Sequence, residues 1–322
     1  MTSSQRLTLF LVAIALLASI AAQGLSENVT LRLKWFHGAQ FAGYYAAAER
    51  GFYAEEDLEV TFIEGATDFE QFAAVVDGQF DFMVADALRV LEAPGRGIPV
   101  AAVAAIFQTD PLVIFSLSES GIESPFDLPG KTVMTYGVMF PALLNKLGIP
   151  IEDVDSIGLS YDLSLLYEGA VDAWVAYVTN EAVLARQAGY EINIIHPSDY
   201  GVDIYGDVLI TSRQMIDEDP DLVLRFLRAT LRGWEYVIQY PVESAAFALR
   251  FAPDLDMEHQ IASIEASLPL LSSGRARLGW MERDRWEFAA RALRDHGQIM
   301  GPIDVEAAFD AQFIEILYRE EG

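Results

Sequence analysis

The sequence predicts an α/β protein made of two units joined by two extended crossings, with helices closing its C-terminal third. Three observations carry that expectation. Short apolar runs alternate with helix-patterned segments from Val29 onward. Two passages, Asp110–Phe115 and Gly206–Thr211, run extended from one set of alternations into the next. From Pro220 to the end the pattern is helical. Alternating strands and helices describe sheets covered by helices, and two crossings rather than one describe lobes hinged about a cleft.

In the first unit, strands are expected at Val29–Trp35, Glu59–Ile63, Phe82–Val84 and Val100–Phe107. The helices between them fit Phe41–Arg50, Asp68–Asp77 and Asp86–Ala93, with Gly51 ending the first. The turn-rich run SESGIESPFDLPGK opens the second unit. Its strands are expected at Lys131–Tyr136, Asp155–Leu159, Ala173–Tyr177 and Glu191–Ile195, and its helices at Phe140–Leu147, Asp162–Glu168 and Glu181–Ala188. The helical tail divides into Asp221–Tyr240, Val242–Phe251, Met257–Leu270, Arg283–Asp295 and Val305–Glu320. The expected division is a leader over 1–23, a first lobe of 28–111 plus 209–322, and a second lobe of 112–208.

Leu7–Ala22 is almost wholly apolar, follows Arg6 and ends among small residues, which is the pattern of a secretory signal peptide. The alternative is an uncleaved anchor, although a full span needs about 20 apolar residues. There is no cysteine, so disulfides, thiolate metal sites, a cysteine nucleophile and a lipid-modified cysteine are excluded. An exported, disulfide-free chain of this size fits a bacterial periplasm. The formal charge is −27, from 48 acids against 21 bases, and only Lys34, Lys131 and Lys146 are lysines. Such a surface repels nucleic acid and anionic headgroups.

The segment LRLKWFHGAQFAGYYAAAERGFYAEEDLEV, from Leu31 to Val60, resembles the opening of the NMT1/THI5-like family of periplasmic solute-binding proteins. Three further stretches match the same family: SGIESPFDLPGKTV, AYVTNEAVLARQAGY and GDVLITSRQMIDEDPDLVLRFLRATLRGWEY. The C-terminal LGWMERDRWEFAARALRDHGQI does so as well. The resemblance runs from about Val29 to the end. It implies a type II periplasmic-binding-protein fold, two α/β lobes joined by a double crossover with a cleft between them. It also implies the substrate-capturing role in an ABC importer, a monomer that hands its ligand to a membrane permease. Members of the family take thiamine pyrimidine precursors such as formylaminopyrimidine or hydroxymethylpyrimidine. Others take riboflavin, and distant relatives take sulfonates, taurine or nitrate.

A small aminopyrimidine needs a flat apolar face and a few directional polar groups. The alternation of Trp35 with Leu31 and Leu33 fits a core or a site residue, and the resemblance, which carries an aromatic there, favours stacking on ligand. Phe36 and Tyr44 extend that aromatic wall, while Tyr45 fits the core equally well. Gln40 offers an amide. Asp86 follows the strand FMVA, where it can cap a helix, contact ligand, or both. Tyr136 and Gly137 follow the strand KTVMT. Asn180 and Glu181 open a helix directly after WVAY, and Tyr177 can stack from that side. Asp207, at the return crossing, faces the cleft or trims the hinge. His37 has no neighbouring ligand residue, and His196, His259 and His296 show no metal-ligand spacing.

Three function classes follow. The first is a binding protein for a small heterocycle, with no catalytic residues, metal or cofactor expected. The second is an enzyme, since eukaryotic relatives make the pyrimidine using one of their own histidines, a lysine-bound cofactor and a cysteine-rich motif. The absence of cysteine and the export signal argue against it. The third is a ligand-sensing partner of a membrane receptor. Acidic candidates without clustered arginine argue against an anionic ligand.

Overall fold

The computed structural model describes residues 26–65, 69–160, 162–272, 274, 277–297 and 303–320. The leader expected over 1–23 lies outside them. Among the described residues ten strands form two five-stranded sheets. One contains β1 (Glu27–Arg32), β2 (Leu58–Ile63), β3 (Phe82–Asp86), β4 (Val100–Ala105) and β10 (Asp207–Ser212), in the order β2-β1-β3-β10-β4. The other contains β5 (Leu112–Leu117), β6 (Thr132–Met134), β7 (Asp155–Ile157), β8 (Ala173–Tyr177) and β9 (Ile192–Ile195), in the order β7-β6-β8-β5-β9.

Within each sheet the strand that arrives directly from a crossing runs against its neighbours. β10 is antiparallel to β3 and β4, and β5 is antiparallel to β8 and β9. The pairs β1–β2, β1–β3, β6–β7 and β6–β8 are parallel. Parallel neighbours need a helical connection to bring the chain back to the same end. Strands entered from the other sheet are free of that requirement.

Helices cover the faces. The first sheet's connections are α1 (Ala42–Glu49), α2 (Phe52–Glu55), α3 (Phe69–Val76) and α4 (Ala87–Glu92). The second sheet's are α5 (Met139–Leu147), α6 (Ser164–Tyr167) and α7 (Glu181–Gln187). After β10 come α8 (Arg213–Glu218), α9 (Pro220–Gln239), α10 (Pro241–Phe251), α11 (Met257–Leu271), α12 (Arg283–Asp295), α13 (Val305–Ala308) and α14 (Gln312–Glu320). Gly51, with φ of 77°, takes the left-handed conformation just past α1, as the expected stop requires.

Several elements depart from the expected pattern; α2, over Phe52–Glu55, is a turn of helix the pattern does not predict, and three further departures have visible causes. β1 ends at Arg32 rather than Trp35: Leu33 N–H still donates to Ile63 C=O at 2.8 Å, and then the chain leaves the sheet. Helix α8 was not expected, yet its start is signalled locally, because the Ser212 hydroxyl accepts from Met215 N–H at 3.0 Å. The tail expected as one helix over Val305–Glu320 is two. Phe309 bridges to Ala102, and Asp310 N–H donates to Ala102 C=O at 2.8 Å. β4 is an edge strand, and this contact covers backbone groups that would otherwise template unwanted pairing.

The first sheet's helical layer turns on a close approach of α1 and α9. A Cβ on Gly233 would lie 2.1 Å from the Gly43 carbonyl oxygen, and one on Gly43 would lie 2.1 Å from the Trp234 ring. Buried Trp234 meets Tyr44 edge-on, with ring centroids 5.7 Å apart. Beneath them Phe226 stacks on Phe82 at 4.0 Å, tying α9 to β3.

The two crossings also pair with each other. Asp110 N–H donates to Ile204 C=O and Gly206 N–H donates to Phe107 C=O, both at 3.0 Å. A Cβ on Gly206 would stand 2.8 Å from Pro111 Cδ and 3.0 Å from Phe107 Cβ, so the approach needs glycine.

Two substitutions test these contacts. Gly233→Ala should lower the urea unfolding midpoint by the equivalent of about 1–3 kcal/mol; an unchanged midpoint would show that the α1–α9 contact is slack. Gly206→Val should cost at least as much, with added protease cleavage near the crossings.

Candidate functional site

A cavity of about 470 Å³ opens between the two sheets. Its first wall is the loop that carries β1 into α1, residues 34–40, together with Asp86 at the end of β3. Its second wall is Tyr136, the end of β8 from Trp174 to Tyr177, and Asn180 and Glu181 at the start of α7. Helix α11 closes one side with His259, Gln260 and Ser263. The strand ends that build it are carboxyl ends, where crevices open in α/β sheets.

The structure brings eight of the ten residues expected at a site to this cavity. Trp35 and Phe36 are 51% and 62% exposed at its rim and meet edge-on at 5.3 Å, an aromatic corner with open ring faces. Tyr136 and Tyr177 face it from the second lobe. Gln40 lines the wall, and its amide donates to Asp207 Oδ2 at 2.6 Å. Asp86 occupies the N-cap position of α4 without making the cap bond; its carboxylate is ion-paired with Lys34 instead. Asn180 likewise makes no cap bond, and its side-chain oxygen pairs with His259 Nε2 at 3.2 Å. Glu181 Oε2 accepts from Tyr177 N–H at 3.2 Å, and burial raises its carboxyl above the usual range.

Two expected residues stand elsewhere. Tyr44 is not part of the aromatic wall: α1 turns it inward onto Trp234, where it is fully buried. Asp207 lies one layer behind the wall, 2% exposed, held by Gln40 and Lys34. His37 reaches the cavity edge but is tied into the fold, its Nδ1 2.8 Å from Tyr45 Oη and its ring stacked on Phe251.

Lys34 also lines the cavity, although no local pattern marks it as a site residue. It is 6% exposed and ion-paired with Asp86 and, at 2.6 Å, with Asp207. It also donates to Tyr177 Oη of the second lobe at 3.0 Å. Burial by itself would drive its ammonium towards the neutral amine, but Asp207 and Asp86 outweigh that and hold it well above the ordinary lysine value. His259, Gln260 and Ser263 also escaped notice, because α11 lies more than 200 residues from the loop it faces. Gln260 Oε1 accepts from Ala39 N–H at 2.7 Å, and His259 Nδ1 is 3.0 Å from Gln187 Oε1. Among the described residues no group of three or more ligating side chains is placed to hold a metal.

Below the cavity, at the first crossing, burial pushes the Asp110 carboxyl up to about 7, while the Leu112 N–H it accepts (2.8 Å) and the Lys34 charge pull the other way. A folded value above the unfolded one, about 3.9, contributes stability below pH 4 that is lost as pH rises through about 7. Asp110→Asn stays neutral and keeps an oxygen for Leu112. Its thermal stability relative to the parent should therefore be better at pH 8 than at pH 5, by about 1 kcal/mol or more; equal differences at both pH values would sink this account.

The NMT1/THI5-like family model matches residues 38–244. A riboflavin-binding protein, RibY, from Chloroflexus aurantiacus is 30% identical over 91% of this chain and 88% of its own. A formylaminopyrimidine-binding protein from Halalkalibacterium halodurans is 26% identical over 94% and 96%. At 23% identity, over 72% of this chain and 73% of its own, stands a 4-amino-5-hydroxymethyl-2-methylpyrimidine phosphate synthase from Saccharomyces cerevisiae. The periplasmic aliphatic sulphonate binding protein SsuA from Escherichia coli superimposes with a TM-score of 0.71, at 12% identity, over 87% of this chain and 91% of its own. Two sheets bridged by two crossings are thus the periplasmic-binding-protein fold, and the chain belongs to the NMT1/THI5-like family.

Proposed function

We propose that this protein is the solute-capturing component of an ABC importer, working outside the cytoplasmic membrane. It takes a flat nitrogen heterocycle of the thiamine-pyrimidine type into the cleft and presents it to a permease. The observation that carries this reading is the cavity itself, which pairs an open aromatic corner, Trp35 and Phe36, with Tyr136, Tyr177 and the Glu181 carboxyl on the opposing lobe. The corner supplies stacking area, and a carboxylate accepts from ring or exocyclic N–H groups. In this reading residues 28–111 and 209–322 move as one lobe and 112–208 as the other, and the ligand stabilises closure about the paired crossings. The segment 1–23 serves for export.

A second ligand, riboflavin, is favoured by two observations. The cavity of about 470 Å³ is roomy for one pyrimidine ring, and the riboflavin-binding relative is similar over nearly the whole chain. An anionic ligand is disfavoured, because among the described residues no arginine lines the cavity and the one lysine is already paired with carboxylates. Synthase chemistry is disfavoured because the chain has no cysteine and so lacks the cysteine-rich motif of the synthase relatives.

Thermal-shift and calorimetric titration with riboflavin, formylaminopyrimidine, hydroxymethylpyrimidine and taurine separates these readings. At least one heterocycle should bind and taurine should not; the reverse result overturns the proposal. Trp35→Ala should weaken the binding heterocycle by about 1–3 kcal/mol of stacking while leaving the unfolding midpoint unchanged, since Trp35 is half exposed. Unchanged affinity would remove Trp35 from the site.

A further inference from the structure

We propose that Lys34 is an internal cation seated in a cation cage made by Asp86, Asp207 and Tyr177, and that it sets the charge class of ligand the cleft accepts. This deepens the binding-protein reading above and rests on that reading only for its ligand arm.

The cage is built from both lobes. Asp86 ends β3 and Asp207 begins β10, paired strands in which these two residues are direct cross-strand partners. Two carboxylates side by side repel each other and need a cation between them. Tyr177, at the end of β8, supplies its hydroxyl at 3.0 Å and its ring face, with the centroid 5.2 Å from the ammonium. Acidic oxygens and an aromatic face are the groups that recognise an alkylammonium ligand. Here the chain fills that position itself. The ammonium donates to Asp86 and to the Tyr177 hydroxyl, and Asp207 Oδ1 stands 2.6 Å away as its second ion-pair partner.

Two consequences follow. A ligand anion finds no unused donor on the one lysine in the cavity wall. A ligand cation finds the two carboxylates already joined to a positive charge. What remains for recognition is the aromatic corner and the Glu181 carboxyl, which suit an uncharged ring bearing N–H groups. Without Lys34, the same wall would present two uncompensated carboxylates and a tyrosine face, with room for a small cation where the side chain had been.

The test is Lys34→Ala with methylammonium as the probe. Methylammonium chloride should raise the melting temperature of Lys34→Ala by about 3 °C or more over sodium chloride at equal ionic strength, and should leave the parent protein unmoved. The double variant Lys34→Met/Asp86→Asn, which keeps one carboxylate and fills the volume with an apolar side chain, should fold and ignore methylammonium. If Lys34→Ala folds only with methylammonium present, that rescue supports the proposal. Indifference of a folded Lys34→Ala to methylammonium overturns it, as does a Lys34→Ala that stays unfolded in methylammonium while the double variant folds. In the ligand arm, the ratio of thiamine affinity to riboflavin affinity should rise at least tenfold in Lys34→Ala, and a constant ratio counts against the charge-class role. If the parent protein binds no heterocycle at all, the function proposed above fails, while the methylammonium arm still decides whether Lys34 fills a cation cage.

Discussion

The architecture rests on the hydrogen-bonded pairing of the two crossings. Asp110 with Ile204 and Gly206 with Phe107 hold the outgoing and returning chain side by side, at a spacing only glycine allows at position 206. The same pairing delivers β10 into the first sheet between β3 and β4. That placement sets Asp207 opposite Asp86. The paired crossings and the charged centre of the cleft are therefore one construction.

That juxtaposition is costly in isolation. The two carboxylates repel each other, and burial first of all holds the Asp207 carboxyl above its ordinary value. Lys34 answers the problem by arriving from the loop after β1, and it extends the arrangement across the cleft through Tyr177. Buried ion pairs of this kind contribute less net stability than their Coulomb attraction implies, because each charge has left water. Their worth lies in position. One ammonium fixes the two carboxylates, orients the tyrosine and decides how much charge the cavity presents.

Much of this molecule is local and can be read from the chain. Strand–helix alternation, the Gly51 stop and the two extended crossings depend on patterns within a dozen residues, and they appear where those patterns place them. The aromatic loop Trp35–Phe36 and the segment from Tyr177 to Glu181 follow strand ends, and strand ends in such sheets face the crevice. Errors arose where tertiary contact overruled local preference. Tyr44, expected in the aromatic wall, lies on a helix packed against α9, so its neighbours, not its sequence, chose the core. The C-terminal tail broke in two because the open edge of β4 captured Phe309 and Asp310.

Fold class, export-type leader pattern, absence of thiol chemistry and an aromatic, acid-bearing loop set are properties of composition and short-range spacing, and the amino-acid order was enough to state them. Which charges meet was decided only in three dimensions. Lys34, Asp86, Tyr177 and Asp207 are separated by dozens of residues, and neither of the paired strands β3 and β10 carries any mark of the other. Nor does any sequence signal tie His259 to Asn180 and Gln187. Local structure follows from short-range sterics and hydrogen bonding, whereas the sharing of one ammonium by residues from both lobes follows from sheet order and crossing geometry, which exist only once the chain has folded.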